Sequence, residues 1–202
     1  MREGVASGRW LSWSALLILS SACLTGCFTA DATLDPDGAG TIELTYPLLP
    51  NAKVEKEKER FSSPHVTLVS YVAKADHTAV VSVKFDDVTK LSTAEGFKQV
   101  GVTRSRDGDT ERLRIVVYNP NVNPVAKDEG KDGPRITLRL PGKVLEANRK
   151  AEVAGDRVTW RMPLVEYLRT SALELTVSWT AVAPSGATST TEPPAKGSGA
   201  GP

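Results

Sequence analysis

From Ala30 onward apolar and polar residues change places at nearly every step, and this period of two constrains the chain more than any other feature. Ala30, Ala32 and Leu34 alternate with polar neighbours, as do Ile42, Leu44 and Tyr46. The same holds for Ala79, Val81, Val83 and Phe85, for Ile136, Leu138 and Leu140, for Val158, Trp160 and Met162, and for Leu173, Leu175, Val177 and Trp179. Successive side chains of a strand point to opposite faces, so such runs read as strands with one buried and one wet face. Sheets of this kind are normally antiparallel.

Turn residues divide the runs. Asp35-Pro36-Asp37-Gly38-Ala39-Gly40 makes 28–47 a hairpin, with Pro47 and Pro50 ending its second strand. Asn51 is placed to cap a short helix through Arg60 or Phe61, with Val54 and Phe61 on one face. Ala75-Asp76-His77 joins 66–74 to 78–85, a short helix or turn occupies 88–96, and Asp107-Gly108-Asp109 joins 98–104 to 110–118. Residues 119–134, rich in Pro, Gly and Asn, read as a long surface loop with little to bury. Pro141-Gly142 and Gly155-Asp156 mark later turns, and Pro163 opens a helical turn over 163–169. The few, irregularly spaced helices do not support βαβ winding. The expected fold is α+β, with mostly antiparallel sheets of short strands and two or three short helices on one face. An all-β sandwich is the alternative.

The N-terminus has the parts of a secretion signal: Arg2 and Arg9, an apolar core from Trp10 to Leu19, then Ser20-Ser21-Ala22-Cys23. That core is too short to span a bilayer, which takes roughly 20 residues. It closes on Leu24-Thr25-Gly26-Cys27, which resembles the lipobox of bacterial lipoproteins. Small residues at Thr25 and Gly26 admit a peptidase to the bond between Gly26 and Cys27, and the Cys27 thiol accepts diacylglycerol through a thioether. Acylation of the freed amine would add the second or third chain that stable anchoring needs. Cys23 fits less well, because Ser20 stands where a lipobox has Leu. An ordinary signal peptide with a chance cysteine is the competing reading.

Three segments follow: a lipoprotein signal peptide over 1–26, a single lipid-anchored α+β domain over 27–182 and a disordered polar tail over 183–202. The tail holds almost no apolar residues to repay the entropy of ordering. Both cysteines of the chain lie at or before position 27, so the mature domain has no thiol for a disulfide, a metal or a nucleophile. Net charge is +1, which argues against nucleic acid as a partner. The charge is uneven: 135–169 carries eight Lys/Arg against four Asp/Glu, whereas 27–134 carries fourteen against seventeen.

Asp31-Ala32-Thr33-Leu34-Asp35-Pro36-Asp37-Gly38-Ala39-Gly40-Thr41, soon after the cysteine, resembles the opening hairpin of the mycobacterial LppM-like lipoproteins. Leu140-Pro141-Gly142-Lys143-Val144-Leu145-Glu146-Ala147-Asn148, followed by Gly155-Asp156-Arg157-Val158-Thr159-Trp160, is similar to another recurrent stretch of that family. The resemblance covers most of 27–180. It implies an exported α/β lipoprotein domain with a role in binding membrane lipid or glycolipid, and it supplies no catalytic residues. Members often end in a membrane helix, where this chain has its polar tail.

Catalytic and metal signals are sparse. His65 and His77 sit at a strand start and a turn, with no partners at useful spacing. No Gly-x-Ser-x-Gly elbow or Walker loop is present. Asp35, Asp37 and Gly38 faintly evoke a calcium loop, but Tyr46 stands where an EF-hand needs its bidentate Glu. Asp107 and Asp109 read the same way, as turn residues. Asp86-Asp87 ends a strand and caps the next turn. We therefore expect no catalytic residues, no metal and no cofactor beyond covalent lipid on Cys27.

One set of side chains points to a ligand. Arg112 and Arg114, Arg135 and Arg139, and Arg157 and Arg161 fall opposite the apolar residues of their strands. If these strands are neighbours, one face presents guanidinium groups and the hydroxyls of Thr137 and Thr159, suited to bidentate contact with anionic headgroups. Ordinary solvent-facing arginines paired with Glu111 or Glu174 are the bland alternative.

The expected protein is a non-enzymatic, lipid-anchored cell-envelope protein whose domain binds lipid or glycolipid headgroups or an envelope partner. It would be exported and lipid-anchored, to the outer membrane in a diderm bacterium and otherwise to the outer face of the cell membrane. A structural or assembly factor that holds another envelope protein is the alternative, and a hydrolase with sites invisible in the sequence ranks last. A ligand-sized apolar cavity open toward Cys27 favours the first, and a solid core favours the second.

Overall fold

The computed structural model of the chain describes residues 28–182. The expectations for the signal segment 1–26, Cys27 and the tail 183–202 fall outside those residues.

Among the described residues the alternating runs form eleven strands in two sheets. The first hairpin pairs β1 (Thr29–Leu34) with β2 (Gly40–Pro47). Its turn closes through an Asp35 N–H to Ala39 carbonyl bond of 2.8 Å, while the Asp37 carboxylate accepts from the Ala39 N–H at 3.0 Å. Gly38, at φ 97°, supplies the left-handed residue that this turn needs. β3 (Val66–Ala73) and β4 (Thr78–Phe85) form the second hairpin, and β5 (Val100–Asp107) and β6 (Thr110–Tyr118) the third. The remaining strands are β7 (Asp132–Arg139), β8 (Val144–Ala147), β9 (Glu152–Ala154), β10 (Arg157–Pro163) and β11 (Ala172–Thr180).

The larger sheet runs β3-β4-β2-β1-β7-β10-β9 and the smaller β5-β6-β11-β8. Every pairing is antiparallel except β1 with β7, which is parallel and sets Ala30 opposite Ile136 and Ala32 opposite Leu138. The short helices α1 (Val54–Glu59) and α2 (Leu164–Arg169), with 3-10 turns at Val88–Thr93 and Glu95–Phe97, complete the α+β fold that the sequence leads one to expect.

The two sheets lay their apolar faces together in one core, which includes Leu44, Val81, Val158 and Leu138 from the larger sheet. Leu113, Leu175, Val177 and Trp179 come from the smaller. Around the rim, Phe61 packs against Tyr46 (ring centroids 5.9 Å apart) and edge-on to Phe97 (5.6 Å), tying α1 and the 3-10 segment to the sheet. Full burial of side chains this large contributes roughly 1.5–3 kcal/mol each.

Some local details differ from the sequence reading. Lys53, not Asn51, precedes α1, and no side chain caps that helix. Val54 is exposed, while Phe61 lies beyond the helix and is buried, so the two do not share a buried face. Asp87 does cap the Val88–Thr93 turn, its Oδ1 accepting from the Thr89 N–H at 2.8 Å and the Thr89 hydroxyl at 2.7 Å.

Candidate functional site

Between the sheets, beside β1, lies an apolar cavity of about 100 Å³. Its origin is local. β1 is central in the larger sheet, and its inward positions between Phe28 and Leu34 are Ala30 and Ala32. Register sets these alanines beside Leu44 and Ile42 on one side and Ile136 and Leu138 on the other. Two methyl groups in a row of larger side chains leave a trough. Across it stand Val100, Val102, Leu113, Ile115 and Val117 of β5 and β6, and Val88, Leu91 and Phe97 close one flank. Ala30, Ala32, Val100, Val102 and Ile115 point between the sheets yet stay only partly buried, so the sheets do not close on one another there.

The trough has a different boundary at each end of β1. At the start, Phe28 lines it and meets Tyr167 of α2 edge to face. Phe28 is one peptide bond from Cys27. At the other end, inward-facing Arg104 and Glu111 form an ion pair of 2.9 Å, and Arg104 Nη2 donates to the Pro36 carbonyl at 2.7 Å. The same guanidinium lies 6.0 Å from the centre of the Trp179 ring. Arg104 follows Val100 and Val102 in the same phase, so the alternation itself placed a cation on the inner face. The sequence reading overlooked that.

The six arginines divide between the sheets. β7 and β10 are neighbours, and their outer face carries Arg139 opposite Arg157 and Arg135 opposite Arg161, with Thr137 opposite Thr159. Arg112 and Arg114 lie on β6 in the smaller sheet, so they do not join the other four. Like charges directly opposite one another are unfavourable unless offset. Acids offset most of them: Arg135 with Asp31 (3.7 Å), Arg139 with Asp156 (3.9 Å) and Arg161 with Glu152 (3.3 Å). Arg114 is held bidentately by Glu174, both bonds at 2.8 Å. That pairing raises the Arg114 pKa and lowers that of Glu174. Glu111, the other acid weighed as a partner, turns inward to Arg104 instead.

His65 Nδ1 lies 3.1 Å from Asp86 Oδ1 at the surface. Ser63 is close, but its Oγ accepts from the backbone N–H groups of His65 and Val66 and bonds the Thr93 hydroxyl. It is thus engaged by backbone and Thr93, not by the imidazole. His77 occupies the β3–β4 turn at φ 58°. Among the described residues no group of three or more His, Cys, Asp or Glu side chains is arranged to hold a metal ion. None of the described helices is long and apolar enough to cross a membrane.

The sheet edges bear on partner binding. β3 carries a bulge between Leu68 and Ser70, β9 has three residues and β8 four, and the 3-10 segment packs along β5. Bulged, short or covered edges are the devices by which sheets avoid adding foreign strands.

No family model, no curated protein and no solved structure matches this chain.

Proposed function

We propose that this chain is an exported, lipid-anchored envelope protein, held to its membrane by acyl groups on Cys27, whose domain takes an apolar chain of a lipid or glycolipid between its two sheets. It acts by binding, not by catalysis. The observation that carries this reading is the position of the cavity: its lining is apolar throughout, and it begins at Phe28, next to Cys27.

Size narrows the ligand. An apolar cavity of about 150 Å³ takes benzene and stays dry when empty. A space of about 100 Å³ suits part of one alkyl chain and falls short of the several hundred Å³ of a drug-sized pocket. The headgroup would stay outside. Direct recognition of anionic headgroups by the arginine face has less support, because Asp31, Asp156 and Glu152 already stand beside three of its four guanidinium groups. The assembly-factor role has less support too, since the strand edges are short, bulged or covered.

The test is to extract the protein from membranes in mild detergent and weigh it intact. The reading expects covalent lipid on Cys27 and a separate, non-covalent lipid that denaturation releases. Unmodified Cys27 would refute the anchor, and acylated protein without a second lipid would refute the binding role.

A further inference from the structure

We infer that the loop segment 121–126 is a second membrane contact, seated in the bilayer interface beside the acylated N-terminus. This rests on the lipid anchor proposed for Cys27.

The segment presents apolar side chains to solvent: Val125 is 80% exposed and Val122 41%. Single exposed valines are ordinary on protein surfaces. These two differ in being held firmly, and in where they are held. Arg169, at the end of α2, donates to the Ala126 carbonyl from Nη2 at 2.6 Å and from Nε at 3.1 Å. The Asn123 N–H donates to the Leu168 carbonyl at 2.8 Å. The buried Asn119 amide donates to the Tyr167 and Thr170 carbonyls at 3.0 and 3.3 Å. The loop is thus fastened to α2, and α2 is fastened by Tyr167 to Phe28.

Consecutive Cα atoms are about 3.8 Å apart, so Phe28 cannot stray from a lipidated Cys27. A bilayer that takes the acyl chains of Cys27 therefore lies against the end of the domain where Phe28, α2 and this loop meet. Val122 and Val125 are exposed apolar groups fastened there. Lys127, Lys131 and Arg169 are balanced by Asp128, Glu129 and Asp132, so the contact is apolar and needs no anionic lipid. A bilayer explains the exposed valines better than a protein partner, because the anchor brings it to this end by necessity.

The mature chain has no thiol but Cys27, whose sulfur the lipid consumes, so Val125→Cys creates a single labelling site. The experiment attaches an environment-sensitive fluorophore there, in the acylated full chain reconstituted into phosphatidylcholine vesicles, with intact mass reporting lipid on Cys27. Asp107→Cys, at the β5–β6 turn near the opposite end of the domain, is the control. Blue-shifted emission and quenching by shallow nitroxide lipids at 125, and neither at 107, are expected. Water-like emission at 125 in acylated protein overturns this inference alone, as does a blue shift that appears only with anionic lipid. Absence of acylation overturns the anchor and this contact together.

Discussion

The Phe28 and Tyr167 rings meet edge to face, with centroids 6.1 Å apart and planes at 75°. This contact joins the residue after the proposed lipidation site to α2, onto which the loop between β6 and β7 is fastened. It makes the cavity wall, α2 and the loop one mechanical unit, which the anchor proposed for Cys27 would hold through Phe28.

Removing one ring should therefore cost more than a surface change. Phe28→Ala is expected to destabilise the domain by about 3–4 kcal/mol, the usual loss for a buried aromatic. Phe28→Leu, which keeps most of the buried area, should cost less than half of that. Urea unfolding of both variants checks this, and a loss below about 1 kcal/mol for Phe28→Ala would show that the contact holds little.

At the other end of β1, Arg104→Ala leaves the Glu111 carboxylate buried without its 2.9 Å partner. Breaking a buried pair costs about 3–5 kcal/mol, and Arg106 Nη1, 3.9 Å from Glu111, keeps the expected loss near the lower end of that range. The double variant Arg104→Ala/Glu111→Ala should cost clearly less than the sum of the two single variants. A double-mutant cycle by chemical denaturation measures this, and additive losses would mean that the pair is not coupled.

Asp87 links stability to pH. Its pKa is lowered, chiefly by the Thr89 hydroxyl hydrogen bond, with the Thr89 N–H adding to the effect. A depressed carboxylate pKa contributes stability above the ordinary aspartate range, and that contribution is lost as pH falls through the lower folded-state value. Asp87→Ala should thus cost about 1 kcal/mol near neutrality, as for a lost cap. The gap to wild type should close as the solution is made more acid than an ordinary aspartate pKa. Unfolding curves across that window test it, and a gap that does not change with pH would contradict it.

Ala32→Leu adds bulk to the trough. At about 24 cal/mol per Å³, filling most of it stabilises by on the order of 1–2 kcal/mol, provided the added side chain finds room. The same substitution should abolish release of a non-covalent lipid. Thermal unfolding and lipid extraction on one preparation read both effects, and undiminished lipid release would mean that the ligand lies elsewhere.

The strands were legible because alternation is a local signal, and so were the turns, whose Gly and Asp residues act on their immediate neighbours. The pairing order was not. β1 and β7 are parallel and about a hundred residues apart, and nothing in either strand names the other. For the same reason the arginines could be assigned to wet faces but not to a common one: β10 lies beside β7, and β6 belongs to the other sheet. Ala30 and Ala32 read simply as apolar positions. That they are too small becomes visible only once Leu44, Ile42, Ile136 and Leu138 stand beside them. Arg104 was detectable from its phase after Val100 and Val102, whereas its role at the end of the trough depends on Pro36 and Glu111, which only the fold brings to it.

The central claim is that an alkyl chain lies between the two sheets. Its most direct test is nuclear Overhauser spectroscopy on methyl-labelled protein loaded with a fatty-acyl lipid. The account predicts transfer from chain methylenes to the methyl groups of Ala30, Ala32, Val102 and Ile115. Transfer confined to outward-facing residues such as Thr137 and Thr159, or none at any methyl of the trough, would contradict it.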